Sequence, residues 1–440
     1  MSDDPVATPD QAALRERLHA VIPGGAHTYA KGDDQWPANA PALLVRGQGC
    51  RVWDVDGNEF VEYGMGLRAV GLGHAYPAVV AAAEQALRDG ANFTRPSLVE
   101  LECAEAFLDI VTGAEMVKFT KDGSSANTAA VKLARAHTGR DLVVLCSQHP
   151  FFSYDDWFIG TTPVDAGIPA AVAALTLTFS YNDLPALEDL FRRHSGRIAC
   201  VVLEPERDQR PEAGFLQGIA DLCRREGAVF VLDEMITGFR WQLGGAQAQY
   251  GVVPDLSTFG KAMANGFAVS ALAGRRELME RGGIRHDGPR VFLLSTTHGA
   301  ETHGLAAAIA TMGVYRERDV IGYLHDAGRE LRTGVEAAIA AAGVEGFVGV
   351  GGRDSNLGYR TLDQEGQPSQ PFRTLFLQEL VRGGVLAPSL VVSYSHDEDA
   401  IRQTIEAVER ALAVYRRALD DGVERYLSGP SVKPVYRRFN

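Results

Sequence analysis

The sequence predicts an α/β fold: a mostly parallel, helix-covered sheet forms the larger part, with a smaller α+β part beside it. Three observations carry this expectation. From Met116 onward, short apolar, β-branched runs alternate with helical patterns, as repeated strand–helix units require. One such run, Ala228–Leu232, stops abruptly at Asp233-Glu234, which reads as a buried parallel strand delivering acids to its C-terminal end. Beyond residue 316 the composition shifts to charged amphipathic helices with short strands between them.

Taken in order, residues 10–20 read as a short amphipathic helix ended by the breaker Pro23-Gly24-Gly25, followed by the polar, irregular stretch 26–33. Leu43–Arg46, Arg51–Asp54 and Phe60–Tyr63 alternate like strands, and Asp56-Gly57 is a hairpin signal. Gly64, Gly66, Gly71 and Gly73 suggest close approach of the backbone to a ligand or another subunit. Helices are expected at 78–87 and 97–110. Strand 116–119 then leads through Lys121-Asp-Gly-Ser-Ser125 to a helix at 126–137. Strands follow at 142–146, 198–203 and 229–232, the last two flanking a helix near 218–225. Helices at 302–316, 324–341 and 404–419 and strands at 347–350 and 391–394 complete the expected elements. The basic end, 433–440, reads equally as a free or a docked tail.

The balance of 43 basic against 56 acidic side chains disfavours nucleic acid or an anionic membrane as a partner. Five scattered cysteines, with no Cys-x-x-Cys, read as reduced core thiols. No apolar stretch is long enough to span a bilayer, and the acidic start Met1–Pro5 lacks a signal-peptide core. A cytoplasmic protein is the expectation.

Four stretches carry chemistry. Asp233 closes one strand, and Lys261 follows the next, Leu256–Phe259, among Gly260, Ala262 and Ala264. An acid able to hold a pyridinium nitrogen and a partly desolvated amine able to form an imine make a useful pair. Each alone also reads as a helix cap or a solvated surface charge. Asp122-Gly123-Ser124-Ser125, between strand and helix, offers backbone N–H groups and hydroxyls to a phosphate, or simply an N-cap from Ser124 or Ser125. It lacks the Gly-Lys-Ser/Thr of a nucleotide-triphosphate loop. The aromatic loop after Cys146 (Phe151, Phe152, Tyr154, Trp157, Phe158) suits a planar ring or plain packing. Ser295–Glu301 suits a second phosphate contact or a cap, and His298 reads as structural, since no partner is spaced for metal ligation.

The order of phosphate loop, aromatic loop, strand-end acid, lysine and threonine loop resembles the class III pyridoxal-phosphate aminotransferases. Within them the chain is most similar to the glutamate-1-semialdehyde 2,1-aminomutase branch. The signature is spread over most of the chain. It includes Ile22–Gly25, Val52–Gly57, Gly71–His74, Leu133–Asp141, Glu204-Pro205, Leu232-Asp-Glu-Met-Ile-Thr-Gly-Phe-Arg240, Phe259-Gly-Lys261 and Ser393–His396. The resemblance implies a fold-type I enzyme whose large domain, 71–318, holds a mostly parallel seven-stranded sheet. It implies a smaller α+β domain from both chain ends, 1–70 and 319–440. It implies pyridoxal 5'-phosphate as cofactor and a homodimer with shared active sites. By the same resemblance Lys261 forms the internal aldimine and shuttles the proton, and Asp233 pairs with the pyridinium nitrogen. Gly123 and Ser124 form the phosphate cup, and Thr297 reaches the phosphate from the partner subunit. Phe151 stacks on one ring face, Met235 packs on the other, and Gln209 contacts the ring hydroxyl.

Departures are equally informative. The family's Asn-Ser-Gly-Thr-Glu-Ala is here Lys121-Asp-Gly-Ser-Ser-Ala126, and its Tyr-His-Gly becomes Phe151-Phe-Ser153. The aminomutase arginine that binds substrate carboxylate aligns with Lys31, which cannot reproduce a bidentate fork. A changed substrate follows, with Lys31, His27, Tyr29, Phe152 and Tyr154 as the candidate substrate-facing residues. The expected activity is transfer of an amino group from a donor such as an amino acid to a keto or aldehyde acceptor, with sugar-like and specialised-metabolism aldehydes as candidates, by a ping-pong route. Its rivals are an intramolecular aminomutase, an epimerase on the same scaffold, and a binding protein that keeps the pocket without chemistry. The last leaves the Lys261 and Asp233 pairing without a use.

Overall fold

The structure is a computed structural model that describes residues 10–148, 151–206 and 209–439; the acidic start and Asn440 lie outside them. The chain forms two compact units. One comprises Met1–Met65, Leu72–Tyr76 and Gly322–Arg437, the other Gly66–Gly71, Pro77–Ile321 and Arg438–Asn440.

The larger unit is built on seven strands: β1 (Met116–Thr120), β2 (Leu142–Cys146), β3 (Thr176–Phe179), β4 (Ile198–Leu203), β5 (Val229–Asp233), β6 (Leu256–Phe259) and β7 (Ser270–Gly274). Their order across the sheet is β3-β2-β4-β5-β6-β7-β1. Six strands run in one direction, and only β7, between β6 and β1, runs against them. The mostly parallel, seven-stranded expectation is met.

Alternation along each strand divides the core in two. Val143, Leu145, Cys200, Val202, Val229, Val231 and Leu256 point to the face covered by the helix Gly123–Thr138. Leu142, Val144, Val201, Leu203, Phe230 and Leu232 point to the face covered by the helices Leu184–Arg193 and Phe215–Glu226. Both faces are buried, so the strands read as unbroken apolar runs. Period two also fixes the site: Asp233 follows Val229 and Val231 onto the face of the Gly123–Thr138 helix, and Thr258 follows Leu256 onto it.

The sequence reading passed over β3, β7 and the helix Leu184–Arg193. The strand β7, Ser-Ala-Leu-Ala-Gly, is small-residue and lacks the β-branched signature. The helix Gly123–Thr138 starts three residues earlier than expected, and its cap is Asp122, not Ser124 or Ser125: the Asp122 carboxylate accepts from Ser125 N at 2.8 Å.

In the smaller unit, Leu44–Gln48, Arg51–Asp54 and Glu59–Glu62 form an antiparallel sheet whose hairpin turns at Gly57 (φ +82°), as Asp56-Gly57 predicts. Val385–Leu386 adds a parallel strand, and Val348–Arg353 pairs with Asn356–Thr361. The strand expected at 391–394 is absent. Val391 and Val392 are buried, but the Ser393 N–H is taken by His396 Nδ1 at 2.9 Å, and the chain turns there. The basic tail is docked: Lys433 N donates to Asp34 O at 2.8 Å, and Arg437 pairs with Asp34 at 2.7 Å. All five cysteines are buried thiols outside any disulfide. Among the described residues no helix is long and apolar enough to cross a membrane.

The two-faced core makes a prediction. Leu145→Ala, at a position 1 % exposed under the Gly123–Thr138 helix, should lower unfolding free energy by about 2–5 kcal/mol. Exposed Lys118→Ala should stay within about 0.5 kcal/mol. Urea denaturation of the two variants checks both.

Candidate active site

Asp233, at the end of β5, is buried, and two donors fix its carboxylate. Met235 N donates to Oδ1 at 2.8 Å, and Asn127 Nδ2 donates to Oδ2 at 2.8 Å. Asn127 is itself held on three sides. Its Oδ1 accepts from Thr258 Oγ1 at 2.9 Å, and its second amide hydrogen goes to Phe152 O at 3.0 Å. Every polar group of this buried amide is satisfied, so its Nδ2 can only donate toward Asp233.

Burial raises the Asp233 carboxyl above its usual range, while the Lys261 ammonium, the Met235 amide and Asn127 pull it down; burial prevails. The acid is therefore incompletely compensated and suited to a further cationic donor. Lys261 opens a short 3-10 turn after β6 with φ +44°, a left-handed conformation that a side chain adopts only under constraint.

Met235 lies where two backbones come close. A Cβ on Gly123 would stand 3.0 Å from Met235 Sδ, and one on Gly260 would stand 2.8 Å from it and 2.5 Å from Ser270 Oγ. Glycine at both positions lets the Gly123–Thr138 helix start and the lysine-bearing turn approach the thioether. Ser124 is buried, and its Oγ accepts from Tyr154 N at 3.2 Å, leaving the hydroxyl proton available to a ligand. Phe151 is half exposed and edge-on to Phe158 at 5.8 Å; Tyr154 is exposed, with its hydroxyl 3.5 Å from Ser125 Oγ. Phe152, in contrast, is enclosed in the core against Phe158, so its side chain packs and its carbonyl serves Asn127.

Thr297 is exposed on a turn, and its carbonyl accepts from Asn92 Nδ2 at 2.9 Å. His298 Nδ1 contacts Glu301 at 3.1 Å, and Lys121 pairs with the same carboxylate. Gln209 is exposed after β4, next to the undescribed residues 207–208; among the described residues no hydrogen bond joins it to Asp233 or Lys261. His27, Tyr29 and Lys31 are exposed in the smaller unit, Tyr29 and Lys31 on one 3-10 turn.

Glu234, beside Asp233, has a structural task. Its carboxylate accepts from Ala246 N at 2.8 Å, Gln247 N at 2.7 Å and Thr237 Oγ1.

A buried acid poised for a ring N–H⁺, an amine one strand away and a helix start brought close by glycine fit pyridoxal phosphate. The comparisons agree. The family model for aminotransferase class-III matches residues 33–352. The chain belongs to the class III aminotransferases.

Among its relatives is a glutamate-1-semialdehyde 2,1-aminomutase from Thermomicrobium roseum, 33 % identical over 93 % of this chain and 99 % of that one. Among solved structures it is similar to the Sphingopyxis sp. MTA144 FumI protein in its PLP internal aldimine form. That match has a TM-score of 0.82 and 29 % identity, over 93 % of this chain and 97 % of that one. An omega-transaminase from Sphaerobacter thermophilus superposes with TM-score 0.83 at 27 % identity, over 93 % and 99 % of the two chains. The protein is a fold-type I, pyridoxal-phosphate-dependent aminotransferase.

Asn127, Thr258 and Ser270 escaped the sequence reading. A usable signal existed for Asn127, the one amide on a helix face otherwise made of Ala130, Val131 and Ala134. A polar side chain inside such a stripe needs a partner.

Two predictions test this network. Asn127→Ala leaves Asp233 Oδ2 and Phe152 O short of a donor and should cost about 2–4 kcal/mol of stability, read by urea denaturation, while weakening cofactor binding. Burial raises Glu234 to about 7, above its unfolded value of 4.5. Between those values the native state keeps a proton that the unfolded chain has lost, so this residue makes stability fall as pH rises. Glu234→Gln should remove that slope from the pH dependence of the urea midpoint.

Proposed function

We propose that this enzyme is a transaminase carrying an amino group from a donor, such as an amino acid, to a keto or aldehyde acceptor in two ping-pong half-reactions. The observation that carries the reading is the buried Asp233, oriented by Asn127 and Met235 N and acting electrostatically on Lys261. Pyridoxal phosphate, when bound, supplies an aldehyde carbon that accepts the amino group and a ring that delocalises electrons. Asp233 would hold the proton on the ring nitrogen, since its two fixed donors leave acceptor positions unfilled. Lys261 Nζ would take the proton from the donor's reacting carbon once the donor amine has displaced it, and return that proton to the cofactor side. Gly123 and Ser124 would receive the phosphate at the helix start, Phe151 and Met235 would flank the ring, and Gln209 would serve its hydroxyl.

Acceptor recognition is assigned to Lys31, His27, Tyr29 and Tyr154. Phe152, being enclosed, would act on the substrate only by anchoring its loop. A lysine in place of the aminomutase arginine favours an acceptor that differs from glutamate semialdehyde, and a sugar-like aldehyde is the proposed class. The active unit would be a homodimer in which Thr297 serves the partner's phosphate. Exposed Phe93 and Phe292, in the same unit as exposed Thr297, favour cover by a second copy. Five thiols outside any disulfide accord with a reducing, cytoplasmic setting. The second reading is intramolecular 2,1-aminomutation, favoured by the identity to the aminomutase relatives.

Stoichiometry separates the two: transamination releases one keto acid from a separate donor per turnover, and aminomutation releases none. Lys261→Ala should abolish turnover and the visible absorbance of the holoenzyme; retained turnover would refute the role of the amine. Mixed dimers of Lys261→Ala and Thr297→Ala should regain one intact site, whereas no recovery over either parent would remove the shared-site reading.

A further inference from the structure

The first turn of the Gly123–Thr138 helix carries its negative charge in an unusual place. The family pattern Asn-Ser-Gly-Thr-Glu-Ala places a neutral serine at the cap and a glutamate three residues on, the spacing of a capping box. This chain exchanges them: Asp122 is the cap and Ser125 the third helical residue. The Asp122 carboxylate accepts from Ser125 N at 2.8 Å and lies 3.2 Å from Ser125 Oγ. A full charge therefore sits at the helix end whose dipole and unpaired N–H groups would otherwise favour an anion alone. The adjacent cation does not offset it, because Lys121 is committed to Glu301, which also receives His298 Nδ1 at 3.1 Å.

We infer that Asp122 loosens the grip of the cup on phosphate, so that the cofactor exchanges with free pyridoxal phosphate instead of remaining permanently resident. This rests on the reading that Gly123 and Ser124 receive the phosphate. A carboxylate at the same helix end takes the Ser125 N–H, next to those of Gly123 and Ser124, and repels the phosphate dianion. Like charges a few ångströms apart near a protein surface change affinity by about tenfold or more.

Asp122→Asn isolates the charge, because asparagine caps a helix as well as aspartate does. Holoenzymes of the parent, Asp122→Asn and Ser124→Ala would be dialysed against graded pyridoxal phosphate and their visible absorbance read, with inorganic phosphate as a competing probe. The expected result is binding about tenfold tighter in Asp122→Asn, with inorganic phosphate competing more strongly, and weaker binding in Ser124→Ala. Unchanged or weaker binding in Asp122→Asn, with loss in Ser124→Ala, overturns the inference and leaves the cup in place. No change in either variant, with no competition by inorganic phosphate, overturns the cup and the inference together.

Discussion

One buried carboxylate organises the larger unit. Asp233 is removed from water at the end of β5, and an ionised acid there is tolerable only with directed donors and a nearby cation. The Met235 amide and Asn127 supply the donors, and Lys261 supplies the cation. Each needs a different element in register: the turn after β5, the helix after β1 and the turn after β6. Asp233 pairs with Thr258 across the β5–β6 ladder, and Thr258 in turn bonds Asn127. A one-residue slip of β6 would turn Thr258 to the opposite face and leave the asparagine amide without its acceptor role filled.

The same network separates two neighbouring acids by task. Asp233 lies on the face of the Gly123–Thr138 helix and feels the charge of Lys261. Glu234, one residue later, takes the first two backbone N–H groups of the short helix Ala246–Tyr250. The pair Asp-Glu is thus one site residue and one structural residue, although both are carboxylates buried at the same strand end. What distinguishes them is the remaining lone-pair capacity. Three protein donors fill most of the roughly four acceptor positions of Glu234, whereas only two donors reach Asp233.

What could be read beforehand follows from how strongly each signal is local. Apolar β-branched runs revealed β2, β4 and β5, and the acid that interrupts β5 revealed its own place. The strand β7 could not be read that way, because Ser270–Gly274 owes its position to being sandwiched antiparallel between β1 and β6. Asn127 is a similar case: its role depends on Thr258, more than a hundred residues away, and no local pattern encodes that meeting. The misplaced strand at 391–394 shows the converse error. Two valines suggested extension, but a histidine three residues past Ser393 captured the backbone N–H that a ladder would have used. Exposed substrate candidates such as Lys31 rest on resemblance, since a surface side chain carries no packing signal to read.

The lysine's backbone then raises the question of what holds it in place. A left-handed non-glycine residue costs about 1–3 kcal/mol, and Phe239, at φ +60°, adds a second. Both strained residues border one aromatic cluster. Phe259, two residues before Lys261, meets Phe107 edge-on at 5.3 Å and Phe239 at 6.3 Å, and Phe239 meets Tyr315 at 6.0 Å. Edge-to-face rings contribute about 0.5–1.5 kcal/mol per pair beyond their burial, so the three pairs offset part of the cost of the two conformations. Gly71 closes the arrangement from the far side: a Cβ there would lie 3.3 Å from Ala262 Cβ and 2.3 Å from Tyr315 Oη. The amine is therefore aimed by rings and by the absence of a methyl group, not by its own hydrogen bonds alone. A lysine moved to a relaxed turn would keep its chemistry and lose its direction.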